Sequence, residues 1–201
     1  MDIKERIIEG AAELFKVYGI RAVTMDSLAS HLGISKRTIY EVFKDKDELL
    51  TDVLKLMSEK QRELVIKVLN ETDNSIAAIF KLLEINMIHF QDMSPAFQAD
   101  LRKYHREVLM KRSETYEMPD YRINMMMIER GIKEKYFRKN INPDLVNRGL
   151  HVLVRSLVDQ NIFPYEEYGR KEVIKNVFIN FLRGISTAEG LELINKLDAK
   201  F

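Results

Sequence analysis

The chain has no cysteine among its 201 residues, so it can form neither a disulfide nor a thiolate metal site. It also lacks a long apolar run. The N-terminal stretch MDIKERIIEGAAELF mixes charged and apolar residues at helical spacing, without the unbroken apolar core of a signal peptide, and no later segment has the length needed to span a bilayer. These absences predict a cytoplasmic protein with no membrane partner. Charge of one sign is missing as well. The 32 Lys+Arg and 31 Asp+Glu residues leave a formal net charge of +1, which excludes the uniformly basic body of a non-specific nucleic-acid coat. Any affinity for a polyanion must therefore be local. There is no glycine-rich phosphate loop, no nucleophile elbow and no HExxH zinc helix, and the histidines at 31, 89, 105 and 151 lack metal-ligand spacing. Tyr104, His105 and Glu107 bring acid–base groups close in sequence, but successive residues on a helix point about 100° apart and do not form a preassembled site. Neither an enzyme nor a cofactor or metal is expected. Strand alternation, internal repeats and low-complexity segments are also missing, whereas 46% hydrophobic residues are enough for a core. The fold class predicted is all-α.

What is present is concentrated between Thr24 and Leu50. Thr24 can cap a helix whose inner face holds Leu28, Ala29 and Leu32, and Gly33 ends it. Ile34 and Ser35 follow at once, which makes a tight turn, and Ser35 can cap a second short helix. In that helix Ile39, Val42 and Phe43 are spaced to face inward, leaving Lys36, Arg37, Thr38 and Tyr40 outside. This is the spacing of a helix-turn-helix, and the outward residues suit a DNA surface. Lysine and arginine neutralise phosphates, arginine also reads a guanine edge, and threonine and tyrosine hydrogen-bond to phosphate oxygens. Lys44 and Lys46 extend the basic patch, although Glu41, Asp45 and Asp47 dilute it. A charge cluster of this kind is also what a merely solvated helix face looks like, and it is the helix-turn-helix spacing that favours DNA. Asp45 and Glu48 stand three apart in the manner of a capping box, so a third helix is predicted from near Lys46.

The residues Thr24, Ala29, Gly33, Ile34, Ser35, Thr38, Ile39, Tyr40, Phe43, Lys46 and Leu49 resemble the DNA-binding signature of the tetracycline-repressor (TetR/AcrR-type) family of bacterial transcriptional regulators. Upstream, Ile7, Ala11, Leu14, Phe15 and Tyr18-Gly19 are similar to that family's first helix and its glycine stop. A later run, IERGIKEKYFRKNINPDLV, is similar to the segment leading into its dimerisation helices. Lys36-Arg37 stands where the family often has glycine or a small residue, which leaves the operator sequence open. The resemblance implies an N-terminal three-helix helix-turn-helix DNA-binding domain, residues 1–48, followed by a helical effector-binding and dimerisation domain, residues 49–201. The DNA-binding set it implies is Thr24, Ser35, Lys36, Arg37, Thr38, Tyr40, Lys44 and Lys46. Lys36 and Arg37 are placed to read base edges, and Thr24, Tyr40 and Lys46 to hold phosphates.

Beyond Leu50 the pattern stays helical. Helices are predicted from Lys46 to about Asn70, and over Ile76–Phe90, Phe97–Thr115, Tyr121–Lys135, Pro143–Asn161, Lys171–Leu182 and Ala188–Leu197, the last capped by Thr187. Two late helices carry apolar bands too wide for one seam. The residues Leu150, Val154, Leu157 and Val158, with Val173, Val177, Phe178 and Phe181, either lie wholly in the core or serve a twin as well. The family resemblance favours the twin, a homodimer joined by a four-helix bundle. A dimer would place two reading heads one helical turn of double-stranded DNA apart, about 34 Å or a multiple, on a palindromic operator. For a small apolar or amphipathic effector the resemblance points to the middle of the chain, where Leu83, Met87, Phe90, Phe97, Leu101, Tyr104, His105, Met125 and Met126 are the candidate lining. Residue by residue, such a stripe is more often packed core. The function expected is a ligand-responsive homodimeric repressor released from its operator by a small molecule. The alternatives are a DNA-binding factor controlled by a protein partner or by no effector, and a helical enzyme.

Overall fold

The computed structural model describes residues 2–91, 93–100, 121–157, 159, 161–164 and 166–201, leaving out the side chains of residues 89–91. Helix α1 (Ile3–Tyr18) presents Ile7, Ala11 and Phe15 along one buried stripe. Helix α2 (Met25–Leu32) starts at Thr24, whose Oγ1 accepts the Ser27 N–H at 3.0 Å, while Ser27 Oγ accepts the Thr24 N–H at 2.9 Å. It stops where Gly33 takes a left-handed φ of 64°, a conformation that a residue without Cβ adopts at little cost. The Ile34 N–H returns to the Ala29 carbonyl and tightens the turn. Helix α3 (Lys36–Val42) is capped by Ser35, whose Oγ accepts the Thr38 N–H at 3.1 Å.

Helix α4 (Lys46–Glu71) begins beside Asp45, whose Oδ1 accepts the Glu48 N–H at 2.8 Å. The return bond differs from the expected capping box. Glu48 accepts the N–H of Lys44, one residue further out, at 2.7 Å. Helix α5 (Ser75–Gln91) follows, and residues 95–100 are helical. Helix α6 (Tyr121–Lys133) ends two residues short of the expected Lys135, because Lys135 takes a φ of 65° and turns the chain so that Phe137 packs on Gly131. Helix α7 (Pro143–Leu157) is capped by Asn142, which accepts from the N–H groups of Asp144 and Leu145. It stops short of the predicted Asn161, since residues 161 and 162 form a turn, and the Arg170 guanidinium donates to the terminal Leu157 carbonyl and to that of Phe163. Helix α8 runs through Arg170–Val173, a π-helical stretch Ile174–Ile179 and Asn180–Ile185, longer at both ends than the expected Lys171–Leu182. In it the Asn176 and Asn180 side chains donate to carbonyls four residues back, a local competition that accompanies the wider turn. Helix α9 (Ala188–Asp198) is capped by Thr187 as its position predicts.

The chain divides into two compact units. The first takes Met1–Gln61 and the described part of residues 88–116. Its core joins Ile7, Phe15, Leu28, Ile39, Phe43, Leu49 and Val53, and it includes Phe97. Burying each such side chain contributes roughly 1.5–3 kcal/mol. The second takes Arg62–Met87 and the described part of residues 117–201. One of its clusters contains Ile79, Phe80, Ile128, Phe137, Leu150, Phe178 and Leu182, and a smaller one Val65, Val68, Leu82 and Ile123. In this unit Arg130 donates to the Leu69 and Thr72 carbonyls at the end of α4, while Glu134, paired with Arg130 at 2.7 Å, accepts the Ser75 N–H that opens α5. One ion pair at the end of α6 thus meets the carbonyl end of one helix with positive charge and the amide end of the next with negative charge.

Candidate nucleic-acid interface

Helices α2 and α3 with the Gly33 turn form a helix-turn-helix. Its inner side is closed by Leu28, Ile39 and Phe43, and the first turn of α3 is exposed. Lys36, Arg37 and Tyr40 all face solvent, Tyr40 with 47% of its surface. Thr38 is half-buried, and its hydroxyl lies 2.9 Å from that of Ser35. Both Thr24 and Ser35 use their oxygens for capping, and the Thr24 hydroxyl in turn donates to Ser27 Oγ at 3.2 Å.

The cations are not idle. Lys36 Nζ lies 2.7 Å from Asp26 Oδ2, and this hydrogen bond holds the lysine above its ordinary pKa. Arg37 Nε pairs with Glu41 Oε1 at 2.9 Å, one turn along the same helix. Exposed pairs like these are screened by water and weak, so a phosphate can displace the carboxylates. Lys44 is exposed. Lys46 is half-buried, its ammonium donating to the Val23 carbonyl and standing 5.8 Å from the Phe15 ring centroid. Burial pushes its pKa below the ordinary lysine value, with Asp100 and Asp47 pulling the other way. Because Val23 directly precedes the Thr24 cap, Lys46 ties the start of α4 to the start of α2, and two of its three N–H donors remain for an anion.

Several supports of this surface are set by contacts distant in the sequence. Arg6 of α1 donates to the Leu32 carbonyl and so holds the end of α2. Asp100 accepts the Arg21 N–H at 2.8 Å in the turn before α2. Only the Thr24-x-x-Ser27 spacing carried a local signal.

A family model, bacterial regulatory proteins of the tetR family, matches residues 7–53, the stretch built from α1 to the first turns of α4. An HTH-type transcriptional regulator, YhgD of Bacillus subtilis (strain 168), is 33% identical over 123 residues, which is 54% of this chain and 64% of that protein, just under two thirds. Residues 7–53 are thus similar to the DNA-binding part of TetR-family regulators. The HTH-type transcriptional repressor KstR2 of Mycobacterium tuberculosis (strain ATCC 25618 / H37Rv) is 26% identical over 149 residues, 71% of this chain and 72% of that protein. A solved transcriptional regulator from Cytophaga hutchinsonii ATCC 33406 superposes with a TM-score of 0.71 at 26% identity, covering 91% of this chain and 98% of that one. The signature residues thus lie within the segment that the tetR-family model matches, and the fold is all-α.

The other expected sites fare unevenly. Leu83 and Met87 pack, half-buried, against the larger core of the second unit, but Phe97 is fully buried in the core of the first. Met125 is half-buried and Met126 exposed, since consecutive helical residues cannot share a face. The side chain of Phe90 and the residues Leu101, Tyr104, His105 and Val158 lie outside the described residues, as does most of the expected helix Phe97–Thr115. Cavities of about 390 Å³ (Ile162, Phe163, Tyr168, Val173, Val177) and about 230 Å³ (Tyr136, Leu193, Lys196) include none of the expected lining. In the expected pairing set, Leu150, Leu157, Val173 and Phe178 are buried within the chain itself, which removes them from an outer face. Val154, Val177 and Phe181 are half-buried. The outward apolar residues of α7 are Leu145 and Val152, 64% and 68% exposed, with Gly149 between them. Their spacing of four and three was readable in the sequence. Among the described residues there is no cluster of metal-binding side chains, and no helix long and apolar enough to cross a membrane.

Proposed function

We propose that this TetR-family regulator is a homodimeric repressor that binds a palindromic operator and is released by a small apolar or amphipathic molecule. The observation that carries the reading is the α2–turn–α3 geometry, a capped helix with Lys36, Arg37 and Tyr40 exposed at its first turns. That is where a reading helix contacts base edges and phosphates. Arg37 and Lys36 read bases, exchanging Glu41 and Asp26 for guanine or phosphate, and Thr24, Tyr40 and Lys46 hold the backbone. Similarity to a protein named as a repressor supports the direction of control. The Leu145, Gly149 and Val152 face of α7, with the half-buried Val177 and Phe181 of α8, supplies the apolar surface for a twin. Helix α4 contributes Leu49, Leu50 and Val53 to the first unit's core and Val65 and Val68 to the second unit's, so a ligand that favours one placement of α4 shifts the spacing of the two heads.

The test is operator affinity over a salt series. Lys46→Ala and Tyr40→Phe should each weaken binding, and Lys46→Ala should reduce the slope of log affinity against log salt by about 1. Unchanged affinity and slope in both variants would refute the phosphate roles.

A further inference from the structure

Two asparagines are buried in the second unit without the partners that buried amides require. Asn147 on α7 is 0% exposed, and its Nδ2 donates to the Tyr121 carbonyl at 2.8 Å, which fixes the orientation of the amide and leaves Oδ1 without a donor. Asn124 on α6 is 6% exposed, and its Nδ2 has no acceptor. His151, one turn beyond Asn147, stands with its ring centroid 6.4 Å from that of Tyr121, and its Nδ1 is buried and unpartnered as well. More than nine in ten buried polar groups find a partner, so three unmet atoms on two packed helices point to a group that completes them.

We propose that this α6–α7 seam binds the hydroxyl group of an otherwise apolar small molecule, its oxygen accepting from Asn124 Nδ2 and its proton going to Asn147 Oδ1. The chemistry selects the class. A hydroxyl accepts and donates at one centre, whereas a ketone or ether only accepts and an ammonium only donates. A carboxylate would present a second acceptor to Asn147 Oδ1 and a charge with no counter-charge in a buried site. His151 Nδ1, on the same face of α7, gives the hydroxyl an alternative partner. The neighbours Ile123, Met127, Leu150 and Val154 on the same helices are apolar, which fits an apolar body. The inference rests on the ligand-responsive reading for its regulatory use, but binding at the seam is measurable without DNA.

The probes are 1-octanol and its methyl ether, which differ in the hydroxyl proton, titrated into the full chain by calorimetry and followed by side-chain amide NMR. The alcohol should bind about ten-fold more tightly than the ether and should shift the Asn124 and Asn147 amide resonances. Asn124→Leu and Asn147→Leu should each bring the preference close to unity while ether binding persists. Either variant suffices if the other fails to fold. Three results would overturn the proposal: no alcohol binding up to its solubility limit, equal affinity for alcohol and ether because a trapped water alone fills the seam, or a preference that survives both substitutions. Alcohol binding with the expected preference but no change in operator affinity would keep the site and refute the ligand-responsive reading. Operator release by an apolar compound indifferent to both substitutions would do the reverse.

Discussion

Replacing Arg130 by methionine keeps the length and apolar stem of the side chain and removes its fork of donors. In the native protein that fork reaches the Leu69 carbonyl, the Thr72 carbonyl at 2.9 Å and Glu134 at 2.7 Å, with the arginine side chain 27% exposed. Hydrogen bonds from a charged group contribute about 1.5–3 kcal/mol each when buried, and losing the fork also leaves the Glu134 carboxylate without its counter-charge. Water reaches the partly exposed carbonyls and replaces part of this, so a loss of about 2–3 kcal/mol is expected. For a chain of this size each kcal/mol is worth about 2–4 °C, which predicts a fall in Tm of roughly 5–10 °C by circular dichroism. Arg130→Lys, which keeps the charge but not the planar fork, should fall between. Hydrogen exchange should show lost protection in the last turn of α4 and none in α3, because the arginine caps only that end. A Tm within about 1 °C of native for Arg130→Met would refute the capping role.

Acid should remove the other half of the same device. Burial pushes the Glu134 carboxyl up, but the hydrogen bonds from Ser75 and the Arg130 guanidinium outweigh it and hold the group below the ordinary glutamate value. A carboxylate with a depressed folded pKa stabilises the protein above its unfolded value and loses that contribution as pH falls through the folded one. Melting followed downward from about pH 4.5 should therefore show a loss that Glu134→Gln flattens. Gly131→Ala would drive a methyl group into the Phe137 ring and should cost about 1–3 kcal/mol in urea unfolding; a neutral effect would mean that the ring can move aside. Asp26→Asn frees the Lys36 ammonium and removes a negative charge from the reading face, so affinity for any duplex should rise about threefold, and an unchanged value would place Lys36 away from phosphate.

The local signals in the sequence were strong where a single residue type solves a single backbone problem. Thr24, Ser35, Thr187 and Asn142-Pro143 mark helix starts because an oxygen or a missing N–H at that position completes the first turn, and Gly33 marks a stop because it accepts φ 64°. The alternatives hidden in the wide apolar bands were not legible. Leu150 and Val152 sit two residues apart on α7, one 5% and the other 68% exposed, and nothing local tells which side meets the core. Phe97 reads like any residue of a middle helix, yet it fills the first unit, with its own N–H held by Ser94 and Asp100 reaching the Arg21 N–H.

By itself the sequence determined an all-α chain, the helix-turn-helix with its exposed basic first turn, and the resemblance to the TetR family. Each of these depends on hydrogen bonds and periodicities within a few residues of one another. Tertiary structure alone decided that Lys36 and Arg37 are held by Asp26 and Glu41, that Lys46 grips Val23, that Arg130 and Glu134 close two helix ends together, and that Asn124 and Asn147 are buried with unmet polar atoms. All but the Arg37 pair join groups ten or more residues apart, or depend on what the rest of the chain excludes from water. A one-dimensional pattern encodes which face of a helix is apolar, but it does not encode what that face will meet.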